Sequence, residues 1–283
     1  MQPVPISVVI PAYNSERFIG EAIESVKAQT LPVAEIIVVD NNCTDNTRNI
    51  AVSKGAKIVI ERRQSVSAAR NRGIDSCENE WIAFLDSDDI WEERKIEYQW
   101  KVINRFPDAR IISCDSGLIL EPDNTKRPVP ILNEAEFKAY IETTGGEVYS
   151  YAPHFTAKLL EWFFVNSSTV IFQREVFSAV GLFDESIPYG QDLEFTARAL
   201  ARFPTATIKR NLAFIRRHDQ NRTYDLDAFR KHKLLVAARM QKFPDEYPPG
   251  MADYFIEFEK KLFLEKARAL NRSKRNQDQP KSS

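Results

Sequence analysis

Apolar runs of strand length alternate with helix-like stretches over the first hundred residues. Residues 6–10, 35–40, 57–61 and 81–85 are short, mainly apolar runs. Runs of this length with polar residues at their ends are typical of buried strands. Between the first two runs, apolar residues recur at the spacing of one helical face: Ile19, Ala22, Ile23 and Val26. Strands that alternate with helices in this way predict a parallel sheet with helices on both faces.

Polar residues and a glycine mark the ends of the predicted helices. Asn14 or Ser15 is placed to cap the first helix, and Asp45 to cap the second, because short polar side chains accept hydrogen bonds from a first helical turn. Gly55 is placed to end the second helix. A third helix is predicted through residues 67–74, directly before the fourth apolar run.

The regular pattern weakens from about residue 120 to 160, where proline and glycine interrupt it repeatedly. We expect a loop-rich insertion there, with one helix near residues 134–141. Gly181 is placed to end a helix in the part that follows. Strand, helix, helix and strand patterns then come in turn: residues 167–172, 174–181, 191–203 and 205–218.

A helical segment of mixed charge follows Asp227, and the polar residues 273–283 after it are expected to be disordered. The apolar residues of the helical segment form either a face that docks on a membrane or an ordinary packed helix. These residues are Phe258, Leu262, Phe263 and Leu270.

Composition and charge limit the class of protein. The 283 residues, of which 43% are apolar, suffice for one large α/β domain or two small ones. The 39 basic and 40 acidic residues give a net charge of -1, so no overall field draws the protein to nucleic acid or anionic lipid. An anionic partner must therefore be bound locally.

Cysteine use and hydropathy indicate a compartment. Cys43, Cys77 and Cys114 are an odd number without a C-x-x-C pair, which suits a reducing compartment and argues against a disulfide framework or a zinc cluster. The start of the sequence lacks a secretory pattern, and no run approaches the ~20 apolar residues of a membrane span. We therefore expect a cytoplasmic protein.

Polar residues follow the predicted strands where each strand leaves the core. Tyr13 and Asn14 follow the first strand, Asp40 the second, and Asp86 and Asp88 the fourth. Ligands of parallel sheets bind outside the carboxyl ends of the strands, so we expect these residues to meet in one crevice. Asp86 and Asp88 point to the same side of an extended chain, where two close carboxylates favour a bound cation or a shared proton.

Five segments, spread over roughly residues 5 to 220, carry a family resemblance. In order they are "SVVIPAYNSERFIGEAIESVKAQT", "EIIVVDNNCTDNT", "SAARNRGI", "WIAFLDSDD" and "GLFDESIPYGQDLEF". Their order and spacing resemble those of family 2 glycosyltransferases. The resemblance implies an α/β fold of the GT-A type, with a mostly parallel sheet flanked by helices, and an inverting enzyme that uses a nucleotide-sugar donor.

The resemblance also implies how the chain is organised. Residues 1–225 form the GT-A glycosyltransferase domain. Within it, residues 1–115 are the Rossmann-like half that binds the nucleotide sugar, and residues 116–225 are the half that binds the acceptor. Residues 226–272 form a C-terminal helical extension, and residues 273–283 form the tail.

By this resemblance, Asp86 and Asp88 are the family's metal and donor motif. Mn²⁺ or Mg²⁺ suits them, because these hard cations bind few carboxylates and take their other ligands from water and diphosphate oxygens. Asp88 is the expected direct ligand, and Asp86 lies nearer the ribose or reaches the metal through water. His218 is either a ligand beside the metal or diphosphate, or a surface residue. Asp89 either belongs to this cluster or caps a helix beginning near Trp91.

The resemblance assigns the nucleotide as well. Asp40 matches the family's aspartate that accepts a hydrogen bond from the imide N–H of uracil, a donor that thymine also offers. This implies a UDP-sugar donor. Tyr13 lies against the base or borders its pocket, and Pro11 and Ala12 bring backbone close to it. Arg70 contacts base or phosphate, or else forms a surface ion pair.

Asp192 is implied as the general base, which removes the proton of the acceptor hydroxyl on the face opposite the leaving diphosphate. Its alternative is a helix cap stabilised by the helix dipole. Glu194 is expected to be structural.

The chain departs from the family pattern at two places. It has Gln191 in place of a glutamate, and the second strand ends in Asp40-Asn41-Asn42-Cys43 in place of Asp-Asp-Gly-Ser.

The last tryptophan is Trp162, so the Gln/Arg-x-x-Arg-Trp motif of processive synthases is absent. We therefore expect transfer of one sugar, or a few, to a glycan, lipid-linked or protein acceptor in glycan, glycolipid or cell-surface polysaccharide biosynthesis. Such an enzyme acts in the cytoplasm or peripherally at the inner face of the membrane.

Arg216 or Arg217 is a further candidate to clamp phosphate. Two other functions remain open: a non-catalytic nucleotide-binding module of this fold, and an aspartate-dependent phosphatase with a D-x-D motif.

Overall fold

The computed structural model shows an α/β fold. It describes residues 2–121, 123–128, 142–144, 148–150, 166–218, 235–253, 256–257 and 260. The strands are β1 (Val4–Ala12), β2 (Val33–Asp40), β3 (Lys57–Ile60), β4 (Trp81–Phe84), β5 (Ile90–Trp91), β6 (Ile111–Leu120), β7 (Thr125–Pro128), β8 (Glu142–Thr144), β9 (Val148–Ser150), β10 (Ile171–Gln173) and β11 (Thr205–Arg217). The helices are α1 (Ile19–Lys27), α2 (Thr47–Ser53), α3 (Val66–Ser76), α4 (Lys95–Arg105), α5 (Arg174–Val180) and α6 (Gln191–Leu200), and residues 235–242 are also helical.

These strands join one sheet in the order β3-β2-β1-β4-β10-β6-β11-β9-β8, with β5 paired to β11 and β7 paired to β6. Strands β3, β2, β1 and β4 are parallel neighbours, so the predicted parallel order is confirmed in this half. Beyond β4 the sheet is mixed, because β10 runs antiparallel to β4 and to β6 while β6 and β11 are parallel. Ala12 pairs with Asp40, so β1 and β2 end at the same edge.

Helices cover both faces of the sheet, which is why β1 is almost continuously apolar. Val8 and Ile10 pack into one core cluster and Val9 packs into the other, because successive side chains of a strand point to opposite faces. Buried residues of α1, α2 and α4 fill the first cluster. Buried residues of α3, α5, α6 and of the segment 236–251 fill the second. The predicted layering is therefore confirmed.

The predicted cap of α1 is wrong. The helix begins at Ile19, and no side chain among the described residues caps its first turn. The Ser15 hydroxyl is instead hydrogen-bonded to the Ser87 hydroxyl at 2.7 Å. The Asn14 side-chain oxygen accepts the backbone N–H of Thr44 at 2.8 Å. Both candidate caps therefore connect loops at the edge of the sheet.

Three other predicted helix ends are confirmed. Asp45 Oδ1 accepts the backbone N–H of Thr47 at 3.0 Å, at the start of α2. Gly55 follows α2 with a φ of 77° and Gly181 follows α5 with a φ of 83°. Glycine suits these positions because it adopts positive φ without steric cost.

The C-terminal segment described here packs against the rest of the fold. Val236, Met240, Tyr247 and Met251 are buried in the same core cluster as α6. The insertion helix predicted at 134–141, the apolar residues 258–270 and the tail 273–283 lie outside the described residues. The described part of the chain includes no helix that is both long enough and apolar enough to cross a bilayer.

Candidate active site

The loop after β4 carries the three aspartates, and backbone contacts fix its shape. Leu85 N–H donates to Val9 O at 3.1 Å, which keeps the loop against β1. Asp86 N–H donates to the Ser168 hydroxyl at 3.1 Å, and Asp89 N–H closes a turn onto Asp86 O at 3.0 Å. The carboxylates therefore stand at the edge where β1 and β2 also end.

Asp88 and His218 lie side by side at this edge, although they are 130 residues apart in the sequence. Asp88 Oδ2 lies 3.0 Å from His218 Nε2, and the His218 ring packs on Phe18 with centroids 4.7 Å apart. Burial raises the pKa of Asp88, the neighbouring charge of Asp86 raises it further, and the His218 contact opposes both. His218, which follows β11, therefore lies beside the D-x-D motif, which is Asp86-Ser87-Asp88.

Asp86 is held by a buried arginine. Arg70 extends from α3, and its Nη2 donates to Asp86 Oδ1 at 2.9 Å and to the Ser167 hydroxyl at 2.7 Å. The Arg70 guanidinium also lies over the Phe183 ring, 5.4 Å from its centroid. Its Nε and Nη1 are buried and have no hydrogen-bond partner among the described residues. The surface ion-pair alternative for Arg70 is wrong, because only 3% of its side chain is exposed.

Asp89 supports the loop from inside the protein. It accepts the Ser168 hydroxyl at 2.6 Å and the Arg216 backbone N–H at 3.0 Å. Burial raises the pKa of Asp89 well above its usual value, and the charges of Asp88 and Asp86 add to this effect. The carboxyl of Asp89 is thus used within the fold.

The alternative that Asp89 caps a helix near Trp91 is wrong. Trp91 lies in β5, and α4 begins only at Lys95. The strand forms because Trp91 pairs with Ala213 of β11, a partner more than a hundred residues away that local periodicity does not report.

Arg216 fastens the same loop, a role that the sequence did not suggest. Its Nε donates to Asp88 O at 2.9 Å, and its Nη1 donates to Glu121 at 2.8 Å and to Asn124 at 2.7 Å. Its Nη2 donates to Glu21 at 2.5 Å. The guanidinium is therefore occupied by the protein, which contradicts its proposed use as a phosphate clamp.

The other end of the site is built around Asp40. Asp40 Oδ1 accepts the Cys43 backbone N–H at 2.8 Å, and Oδ2 accepts Arg48 Nε at 2.6 Å. Burial raises the pKa of Asp40, but these hydrogen bonds and the charge of Arg48 outweigh burial and hold it below its usual value. Pro11 and Ala12 are buried beside it, whereas Tyr13 is 42% exposed and accessible to a ligand.

The turn after Asp40 has asparagine in place of the family's glycine. Asn42 adopts a φ of 67°, a left-handed conformation that asparagine tolerates better than most residues. The Asn41 amide donates to Glu61 O at 2.9 Å and to Arg63 O at 2.6 Å, and its oxygen accepts Ser65 N–H at 3.0 Å. Asn41 thus joins the turn to the chain that enters α3.

Asp192 lies in the first turn of α6, after Gly190 with a φ of 77°. Its Oδ1 accepts the adjacent backbone N–H of Leu193 at 2.9 Å. Burial raises the pKa of Asp192, the charge of Arg70 lowers it, and the charge of Asp86 raises it. Asp192 is therefore electrostatically coupled to the residues that hold the D-x-D loop.

Glu194, two residues further on, is structural, as expected. It is fully buried and accepts Arg198 Nε at 2.6 Å, Arg239 Nε at 2.9 Å and the Tyr247 hydroxyl at 2.6 Å. The last two partners belong to the C-terminal segment. Glu194 therefore ties the helix of Asp192 to residues 239–247.

The contact between Asp88 and His218 fits a divalent cation. Asp88 offers carboxylate oxygens and His218 an imidazole nitrogen, which are donors that such an ion accepts; in the protein alone the two donor atoms are 3.0 Å apart, a hydrogen-bond distance. Among the residues described, no group of three or more histidine, cysteine, aspartate or glutamate side chains could hold an ion. An ion here would complete its shell with water and diphosphate oxygens, as Mg²⁺ commonly does.

Comparison with known sequences gives one consistent family. The sequence model of Glycosyl transferase family 2 matches residues 7–180. An uncharacterised glycosyltransferase of Rickettsia typhi is 31% identical over 193 residues, covering 67% of this chain and 56% of that protein. The amylovoran biosynthesis glycosyltransferase AmsB of Erwinia amylovora is 26% identical over 210 residues, covering 70% of this chain and 65% of that protein. The chain thus spans little more than half the length of the Rickettsia relative.

Solved structures show the same fold. S. aureus TarS 1-349 in complex with UDP-GlcNAc superimposes with a TM-score of 0.63 at 19% identity, covering 84% of this chain and 66% of that chain. M. tuberculosis glucosyl-3-phosphoglycerate synthase gives a TM-score of 0.55 at 19% identity, covering 83% of this chain and 79% of that chain. The fold is therefore the GT-A fold. Since the family match also extends over more than half of the sequence, this chain belongs to glycosyl transferase family 2.

Proposed function

We propose that the protein is a metal-dependent inverting glycosyltransferase that moves a single sugar from a UDP-sugar to an acceptor hydroxyl. The observation that carries this proposal is the position of Arg70. It pairs with Asp86, its charge acts on Asp192, and two of its buried nitrogens, Nε and Nη1, have no hydrogen-bond partner among the described residues. Buried donors of this kind are costly unless a ligand satisfies them, and an anionic diphosphate is a suitable acceptor.

Asp88 and His218 would hold Mn²⁺ or Mg²⁺, with Asp86 close by. A bound divalent cation supplies Lewis-acid stabilisation of the charge that develops on the leaving diphosphate. The protein's own part is to hold the two ligands at the right separation. The backbone contact of Arg216 to Asp88 and the ring contact of Phe18 to His218 serve that purpose.

Asp192 acts as the general base. Its carboxylate takes the proton of the acceptor hydroxyl while the new bond from oxygen to the anomeric carbon forms and the bond to the diphosphate breaks. The raised pKa favours this role, since a stronger base accepts a proton more readily. A second carboxylic acid would be unnecessary with a cation bound at Asp88 and His218, since the cation would stabilise the leaving diphosphate.

The nucleotide and the pathway are proposed partly from relatives. TarS has been crystallised with UDP and with UDP-GlcNAc, and AmsB is described as an enzyme of amylovoran biosynthesis. Asp40, held ionised at the end of β2, would accept the imide N–H of uracil. These points support a UDP-sugar donor and an acceptor in polysaccharide or glycolipid assembly.

The test is calorimetric binding of UDP, dTDP, GDP and CDP, each with Mn²⁺ and then with chelator, followed by transfer assays. We expect Mn²⁺-dependent binding of UDP or dTDP. Asp88→Ala should weaken that binding and abolish transfer, whereas Asp192→Asn should preserve binding and remove most transfer. Asp108→Asn, at an exposed carboxylate, is the matched control. If no nucleotide binds, the proposal fails; if nucleotide binds but no sugar donor is hydrolysed or transferred, the chain is a non-catalytic binding module.

A further inference from the structure

Arg48 lies against the carboxylate proposed to read the base. Its Nε donates to Asp40 Oδ2 at 2.6 Å, and its Nη2 lies 2.5 Å from the same oxygen. The other oxygen, Oδ1, accepts the Cys43 backbone N–H at 2.8 Å. Arg48 thus contacts Oδ2 twice, whereas Oδ1 has a second lone pair, so Asp40 retains acceptor capacity for a ligand at Oδ1.

The two side chains differ sharply in exposure. Asp40 is 2% exposed and Arg48 is 49% exposed. The guanidinium therefore lies on the solvent side of the carboxylate, where a nucleobase must approach. Its Nη1 makes no hydrogen bond with the residues that the structure describes, so donors remain available beside the acceptor. Asp40 and Arg48 together present an acceptor and a donor side by side.

We infer that Arg48 is a specificity-determining residue that, paired with Asp40, selects a nucleobase whose edge carries an N–H next to a carbonyl oxygen. This inference rests on the proposed binding of a nucleotide at Asp40. Uracil and thymine have such an edge: the imide N–H donates to Asp40, and the adjacent carbonyl oxygen accepts from Arg48. Removal of either partner leaves one half of this pattern unpaired.

Cytosine has the opposite pattern at this edge. Its ring nitrogen is an acceptor and would face the Asp40 carboxylate, and its amino group is a donor and would face the Arg48 guanidinium. Both contacts are repulsive, and the buried Asp40 carboxylate would face an acceptor in place of a donor. The pair therefore both attracts uracil and rejects cytosine, whereas Asp40 alone would supply only half of the discrimination.

The competing interpretation is that Arg48 only covers Asp40 in the empty protein and must leave before a base binds. The two interpretations predict opposite effects of removing the side chain. If Arg48 is a cover, its loss strengthens UDP binding, because a competing ion pair disappears. If Arg48 recognises the base, its loss weakens UDP binding and leaves CDP binding unchanged or improved.

The test is calorimetric measurement of UDP and CDP affinity for the wild-type protein, Arg48→Ala, Arg48→Lys and the control Arg105→Ala, an exposed arginine at the end of α4. We expect Arg48→Ala to weaken UDP binding about tenfold, as for loss of a hydrogen bond to a charged group, with CDP affinity within twofold of wild type or higher. Arg48→Lys should lose less UDP affinity, since it keeps the charge without the planar fork.

Unchanged or tighter UDP binding by Arg48→Ala would overturn the inference, as would equal losses for UDP and CDP. Thermal unfolding of each variant checks that the fold is intact, and Arg48→Lys provides a second reading if Arg48→Ala is unstable. Failure of the wild-type protein to bind UDP would instead refute the proposed function, and this inference with it. Normal wild-type binding with an unaltered UDP-to-CDP ratio in both Arg48 variants would refute the inference alone.

Discussion

Asp88 Oδ2 and His218 Nε2 lie 3.0 Å apart, although 130 residues separate them along the chain. One follows β4 and the other follows β11, and these strands are not neighbours in the sheet. Their meeting depends on Arg216, which precedes His218 by two residues and donates to the backbone of Asp88. The two candidate ligands are thus positioned by one shared support.

His218→Ala should weaken Mn²⁺-dependent UDP binding by at least about tenfold, a typical cost of disturbing a metal site, and leave UDP binding in chelator unchanged. The physical reason is the loss of an imidazole nitrogen that would bind the ion beside Asp88. Calorimetry with and without Mn²⁺ measures this directly. His232→Ala, at a histidine to which we assign no role, is the control; an equal loss there, or no loss in His218→Ala, would remove His218 from the metal site.

Transfer activity should fall at acid pH as Asp192 becomes protonated. Because burial raises the pKa of Asp192 and the charge of Arg70 lowers it, Arg70→Met should move the acid limb of the kcat profile to higher pH. Arg70→Lys keeps the charge and should leave the limb nearly in place, even if both variants are slower. An acid limb at the same pH in wild type and Arg70→Met would contradict this coupling.

Arg216→Lys should destabilise the protein by about 3 kcal/mol, the scale expected for breaking a buried ion pair, and should reduce Mn²⁺-dependent UDP binding. A lysine cannot reach Asp88 O, Glu121, Asn124 and Glu21 together, because its ammonium lacks the planar fork of guanidinium. Urea unfolding gives the stability change. Arg105→Lys, at an exposed arginine at the end of α4, is the matched control.

Tyr247→Phe should cost about 1.5 to 3 kcal/mol of unfolding free energy, the range for a hydrogen bond to a charged group. The buried Glu194 carboxylate would lose a donor at 2.6 Å and keep only its arginine partners. Urea unfolding at neutral pH measures the change. Tyr98→Phe, on the partly exposed surface of α4, should change stability by much less; similar losses in the two variants would show that the Glu194 contact contributes little.

Asp115 should make the protein less stable as pH rises from about 4 to 7. Burial raises the pKa of Asp115 to about 7 in the folded protein, opposed by Lys209. Between pH values near the ordinary aspartate pKa and about 7, the folded state holds a proton on Asp115 that the unfolded state has lost. The free energy of unfolding is therefore greatest below this pH range and decreases as pH rises through it. Asp115→Asn should flatten this part of the profile of melting temperature against pH. The same slope in the variant would assign the effect to other groups.

The parallel half of the fold was predictable from sequence because its signals are local. Each apolar run or helical spacing that gives one of the elements β1 to β4 and α1 to α3 lies within a short stretch of consecutive residues. The mixed half was not predictable in the same way. The placement of β10 between β4 and β6 follows from pairing between distant segments, which single-sequence periodicity does not report.

The same difference between local and long-range signals applies to the candidate site. The positions of Asp40, Asp86 and Asp88 at one edge follow from strand ends in a parallel sheet, so the sequence sufficed. The supports of these residues were missed: Arg48, Arg216 and Ser168 carry no distinctive pattern, and two of them contact the D-x-D loop only through the tertiary fold. An arginine eight residues after Asp40, in a first helical turn, was the one local signal available.

The contacts of Glu194 have a consequence for where the protein can be shortened. The sequence match to the family ends at residue 180, before α6, yet α6 depends on Arg239 and Tyr247 from the C-terminal segment. A recombinant fragment ending at residue 225 would strip a buried carboxylate of two donors and expose the apolar surface that Val236 and Met240 now cover. The smallest unit with this core intact therefore reaches at least to Met251, whose side chain packs into the same core.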